Sequence, residues 1–109
     1  VIKLLQEPRP KVYVVNKSTH DYSAADCFGD IVFLSKNNLQ KFSTSQAYRI
    51  FWPILEKSSP EDYLLVSGMP MHCLVASFIL TNKHGRLNLL LFTEKNNKKK
   101  YLERIIIGD

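Results

Sequence analysis

His20 and Asp21 place an imidazole beside a carboxylate in a loop, the residue types a general base and its orienting acid require. If Asp21 steers His20, the pair suits a small hydrolase or transferase. Neighbouring side chains rarely face each other, however, and Asp21 equally suits a cap on a turn or short helix. Ser67 precedes Gly68 and no GxSxG pattern surrounds it, so a nucleophile elbow is not indicated. His72 reads as a helix-surface or core-edge residue, and His84 as a partner for the end of a helix. Cys27 and Cys73 sit in apolar segments without metal-ligand spacing, so both read as small buried hydrophobes in a reducing compartment. No metal and no cofactor is expected, and a non-catalytic role is preferred to an enzymatic one.

A stronger pattern is Asp62-Tyr63-Leu64-Leu65-Val66-Ser67-Gly68-Met69-Pro70-Met71-His72, an apolar strand entering a small-residue turn that opens a helix. Such junctions leave backbone N–H groups facing a crevice and favour anions. Asn16, Lys17 and Ser18 follow another apolar strand and are expected to face Ser67 and Gly68 across that crevice, with Ser35 and Lys36 bordering it. Gly68 permits close approach of the backbone, the serines offer hydroxyls and Lys17 offers charge. The bland alternative is that Gly68 satisfies a tight turn. Neither GxGxxG nor GxxxxGK[ST] occurs, so nothing specific points to a dinucleotide or a P-loop.

The third signal is basic. Lys95, Lys98, Lys99 and Lys100, with Arg104 beyond, form a cationic tip next to Tyr101 that suits phosphate contacts on a nucleic acid. Lysines at a sheet edge also serve to block edge pairing. No helix-turn-helix, zinc-finger or RNA-binding motif accompanies them.

These residues need a scaffold, and hydrophobic periodicity supplies one. Strands are predicted at 11–15, 31–34, 63–66, 87–92 and 100–107. A short helix is expected after Ser23, with Asp26 completing a cap pattern and Gly29 ending it. A longer helix follows Ser43 and Gln46, with Ala47, Ile50, Phe51, Ile54 and Leu55 on one face and Pro53 kinking or ending it. A third runs from Pro70 to about Lys83, stopped at His84-Gly85. The alternation predicts one three-layer α/β/α domain over 11–109, preceded by an arm over 1–10. Its mostly parallel five-stranded sheet has order 2-1-3-4-5 and ends in an antiparallel edge hairpin. That order creates a topological switch point between the first and third strands, where the two loops meet. Alternation and the Ser67-Gly68 turn resemble the broad Rossmann-like class, which includes nucleotide-sensing domains; the resemblance is architectural and implies nucleotide binding only by analogy.

At 109 residues the chain can bury a core without staples. No apolar run approaches the roughly 20 residues needed to span a bilayer, and 1–5 is too short for a secretory segment, so a cytoplasmic protein without membrane contact is expected. The chain starts at Val1 without methionine, which fits a removed start or a piece of a longer chain. A net charge of +5 permits an anionic partner. Ile105, Ile106 and Ile107 alternate poorly, suggesting burial on both faces, and together with residues 1–5 they offer a route to homo-oligomers. Three functions follow in order: a small non-catalytic module for a phosphate-bearing ligand (a nucleotide or nucleic-acid backbone), a structural or interaction protein assembling through its apolar ends, and the His20/Asp21 enzyme.

Overall fold

The computed structural model describes residues 8–108. Residues 1–5, and most of the arm expected over 1–10, therefore lie outside the described part. Strand β1 (Lys11–Val14) leads through a 3-10 turn at Ser23–Ala25 to β2 (Asp30–Phe33). Helix α1 (Thr44–Leu55), β3 (Tyr63–Val66), α2 (Pro70–His84), β4 (Arg86–Lys95) and β5 (Lys98–Ile107) follow. The strands lie in the order β2-β1-β3-β4-β5, parallel except for the antiparallel β4–β5 pair. The α/β fold, the strand order and the edge hairpin are as the sequence predicts.

Alternation along the central strands divides two cores. Tyr13 and Leu64 point to the face covered by α1 and α2, where Phe51, Leu55, Ala76 and Ile79 meet them. Val12, Val14, Leu65 and Leu90 point to the other face, which Tyr22, Ala25 and Phe28 partly cover. The layer on this second face is thin. Gly29 follows four residues after Ala25, and the chain reaches β2 before a second helical turn can form. The 3-10 turn reaches as far as β5, where Leu90 and Tyr101 are buried with Tyr22 and Ala25, while Phe92 beyond them is half exposed.

In α1, Ala47, Phe51 and Leu55 recur every fourth residue and are buried, which fixes the helix on the sheet. Ser43 caps it, accepting a hydrogen bond from Gln46 N–H at 3.1 Å. Pro53 lacks the N–H that would donate to the Arg49 carbonyl, and the helix ends two residues later. Helix α2 carries Pro70 at its first position and ends on Gly85, whose φ of 68° is the left-handed stop that closes many helices.

The bottom of the sheet is tied by Asp62. Its carboxylate accepts from the Lys11 backbone N–H (2.9 Å), the Tyr13 hydroxyl (3.2 Å) and the Ser59 backbone N–H (2.9 Å). Burial, and then the Asp62 charge, push the Tyr13 hydroxyl well above the usual tyrosine range.

Two sequence expectations change here. Cys27 is exposed, because the 3-10 turn gives its inward positions to Ala25 and Phe28. Ile105, Ile106 and Ile107 are 47%, 57% and 66% exposed. Their poor alternation reflects an edge strand open on both faces, so the expected two-sided burial does not occur. The polar turn shrinks to Asn96 and Asn97, whose φ values of 54° and 63° fit the two-residue turn that asparagine tolerates best.

Candidate functional site: two clefts at the carboxyl end of the sheet

The expected switch point exists as a cleft of about 470 Å³ between the β1 and β3 loops, lined by Asn16, Ser18, Lys41, Gly68 and His72 among others. Gly68 has a φ of 79°, so the turn into α2 demands a residue free to adopt left-handed backbone. The N-cap of α2 is Met69, which supplies no side-chain acceptor, and the partial positive charge of the helix start is left open to this cleft.

The loops that form its walls are held by amides. Asn16 Oδ1 accepts from Asn37 N–H at 2.7 Å, and Asn16 Nδ2 donates to Asn37 Oδ1 at 3.0 Å. Asn16 thus clamps two loops together, and most of its hydrogen-bonding capacity is already used. Lys17 is not in this cleft. Its backbone N–H donates to Ser35 O at 2.8 Å, and its ammonium sits 5.8 Å from the centre of the Phe33 ring. The cation that does line the cleft is Lys41, in the loop before α1. Sequence reasoning missed it because only the crossover from β2 brings that loop over the sheet. His72 Nε2 lies 3.4 Å from the Gln40 carbonyl, and the ring meets Phe51 edge-on at 6.4 Å. It is a core-edge histidine with one side facing the cleft.

A second cleft of about 490 Å³ adjoins the first on the thinly covered face. Asp21, Ser67, Phe92, Glu94, Lys99 and Tyr101 contribute to its lining. His20 and Tyr22 line both clefts and form the wall between them. The Ser67–Gly68 turn completes that division, Ser67 on one side and Gly68 on the other. Phe92 and Tyr101 are cross-strand partners whose rings meet edge-on at 5.6 Å, giving this cleft an aromatic floor. Burial, and then the nearby Tyr22 and Asp21, raise the Tyr101 hydroxyl above its ordinary range.

Asp21 takes the turn-capping role. Its Oδ1 accepts from the Ser23 backbone N–H at 2.9 Å, and that bond, with the Ser23 hydroxyl second, holds the carboxyl below its usual range. The His20 backbone N–H donates to Ser18 Oγ at 3.2 Å. Among the described residues no hydrogen bond joins Asp21 to the His20 ring. The geometry a histidine–aspartate general base needs is therefore not assembled, although both side chains remain in the cleft.

The basic tip divides between two faces. Strand register puts Glu94 opposite Lys99, and both line the second cleft. Lys95, Lys98, Lys100 and Arg104 fall on the alternate face, with Lys95 opposite Lys98 and Arg104 opposite Leu89. Alternation, invisible in a run of consecutive lysines, separates one lysine from its neighbours.

Cys73 is buried, its thiol pointing at the Ser67 carbonyl at 3.1 Å; burial pushes it above its ordinary value, which keeps it an inert thiol. Among the described residues, no group of three or more His, Cys, Asp or Glu could hold a metal ion, and no helix is long and apolar enough to cross a membrane.

Parallel strands opening at their carboxyl ends onto two clefts define an open α/β domain with a crevice at its switch point. The chain belongs to the phage Pam3 gp32-like protein family, whose family model matches residues 10–106. No curated protein and no solved structure matches it significantly.

Proposed function

We propose that the domain is a small non-catalytic binding module for a phosphate-bearing ligand, held in the switch-point cleft. The observation that carries this reading is the cleft's charge: among the described residues its one charged lining side chain is the Lys41 ammonium, with the His20 and His72 imidazoles beside it and no carboxylate. The start of α2, which has no side-chain cap, adds to the same field, and the Ser18 hydroxyl and the Gly68 backbone offer neutral contacts. The absence of a His20–Asp21 hydrogen bond among the described residues favours binding over catalysis.

Calorimetric titration with inorganic phosphate and with ribose 5-phosphate tests the proposal. Binding should weaken as salt rises, and Lys41→Ala should lower affinity about 5-fold to 10-fold. Affinity that is indifferent to Lys41, or no uptake of either probe, would sink it.

A second reading is favoured by one observation, the exposure of Ile105, Ile106 and Ile107 on β5, the edge strand among the described residues. An apolar edge strand is a template for pairing with another chain. The domain would then self-associate through this edge, and Ile106→Lys should reduce the light-scattering mass at high concentration. A wild-type protein that stays monomeric at millimolar concentration removes this reading.

A further inference from the structure

We infer that the second cleft receives a nucleobase, guanine by preference, so that the ligand spanning both clefts is a guanine nucleotide. The inference rests on the phosphate reading of the neighbouring cleft and extends it.

Three observations converge. The two clefts share the wall made by His20 and Tyr22, so a ligand with its phosphate beside Lys41 needs to pass only one pair of side chains to reach the second cleft. The second cleft has the character of a base site rather than a phosphate site. The half-exposed Phe92 offers ring surface for stacking, with the buried Tyr101 ring edge-on behind it and Leu65 beneath. Asp21 and Glu94 oppose the single cation Lys99, so another phosphate would meet repulsion there.

The polar groups then select the base. Glu94 and Lys99 are directly opposite in the β4–β5 ladder and project from the same face into the cleft. Side by side they present two carboxylate acceptors and an ammonium donor. Guanine carries the complementary edge: an amino N–H and the N1–H donate, and O6 accepts. Adenine lacks the second adjacent donor and presents no carbonyl to the lysine. Uracil places its one N–H between two carbonyls, which would face the carboxylate. Glu94 lines the cleft and joins no ion pair among the described residues, so its oxygens are open to a ligand. Asp21 has one oxygen committed to Ser23 and contributes mainly charge.

The cleft's volume of about 490 Å³ falls within the range of roughly 300–1,000 Å³ usual for small-molecule sites. Ser23 and Ala24 of the 3-10 turn form one wall, and among the described residues no α-helix packs on this face.

Calorimetry with guanosine 5′-monophosphate, adenosine 5′-monophosphate, uridine 5′-monophosphate, ribose 5-phosphate and inorganic phosphate decides the matter. The guanine nucleotide should bind at least 10-fold tighter than ribose 5-phosphate and at least 5-fold tighter than the other two nucleotides. Glu94→Gln should remove most of the preference for guanine while leaving the affinity for ribose 5-phosphate unchanged. Phe92→Ala, at a half-exposed position where folding is not at risk, should weaken all three nucleotides about 5-fold and spare inorganic phosphate. If ribose 5-phosphate binds as tightly as the guanine nucleotide, the base inference is overturned and the phosphate reading stands. If none of the five probes binds, both fall together.

Discussion

The Ser18 and Tyr22 hydroxyls lie 2.9 Å apart, closing the loop that separates the two clefts. Tyr22 is otherwise anchored by its ring, which tilts against Phe33 at 5.9 Å and is almost fully buried. The wall between the clefts is thus held by a hydrogen bond at its tip and, at its root, by the Tyr22 ring packed against Phe33 and the second core. Tyr22→Phe keeps the root and loses the tip. It should cost about 1 kcal/mol in urea unfolding, the usual net worth of one hydrogen bond, while Tyr22→Ala should cost about 3 kcal/mol or more.

Asp62 organises the opposite end of the sheet through three donors from Lys11, Tyr13 and Ser59. Asp62→Ala leaves the buried Tyr13 hydroxyl and two part-buried backbone N–H groups without their acceptor. A loss on the order of 3 kcal/mol is expected, read as a lower denaturation midpoint with an unchanged slope. Phosphate affinity should not change, because Asp62 is at the far end of the strands.

His84 gives the protein an acid-sensitive joint. Ser58 has one hydroxyl proton and donates it to the Leu55 carbonyl at 2.6 Å, so its oxygen, 2.8 Å from His84 Nε2, accepts from the ring. Burial first, then Lys83, hold the His84 imidazole below its ordinary value. The unfolded chain therefore takes up this proton at a higher pH than the folded one. The stability contribution is complete above the unfolded histidine value of about 6.5 and is lost as pH falls through the folded value. Thermal melts from pH 8 to pH 5 should show this loss, and His84→Gln should reduce the slope. An identical slope in the variant would assign the acid sensitivity elsewhere.

The hairpin lysines make a separate prediction. Lys95, Lys98 and Lys100 lie on the face away from the second cleft, and none of the three lines the first. Replacing all three with alanine should leave inorganic-phosphate affinity within 2-fold and stability within about 0.5 kcal/mol. A large drop in phosphate affinity would move the anion site to the hairpin.

The sheet was readable in the sequence because strands β1, β3 and β4 are apolar runs separated by turn chemistry, and alternation with helices leaves few topologies open. The switch point followed from that order. What could not be read was which side chains the loops deliver. Lys17 is next to Ser18 in sequence, yet the backbone at Ser35 turns it toward Phe33. Lys41 is remote in sequence from either strand end and arrives only through the β2–α1 connection. The hairpin lysines show the same gap on a smaller scale. Consecutive lysines look like one patch until strand alternation assigns them to opposite faces, leaving Lys99 among carboxylates. The isoleucines at the end of β5 misled for a related reason, since a continuous apolar run fits a buried strand and an open edge alike.

Gly29 was described above as the residue that ends the 3-10 turn, but its position also bears on how the chain finds its alignment. The Asp30 N–H donates to the Pro10 carbonyl at 2.9 Å, and a β-carbon at position 29 would come within 2.2 Å of that same carbonyl oxygen. A slip of β2 by one residue along β1 would bring Phe28 or Asp30 to the spot that accommodates only hydrogen. It would also send Ile31 and Phe33 to the wrong side of the sheet. Glycine at this place acts as a mechanical stop, permitting one alignment of the first two strands and, through them, one placement of the loops that meet above the sheet.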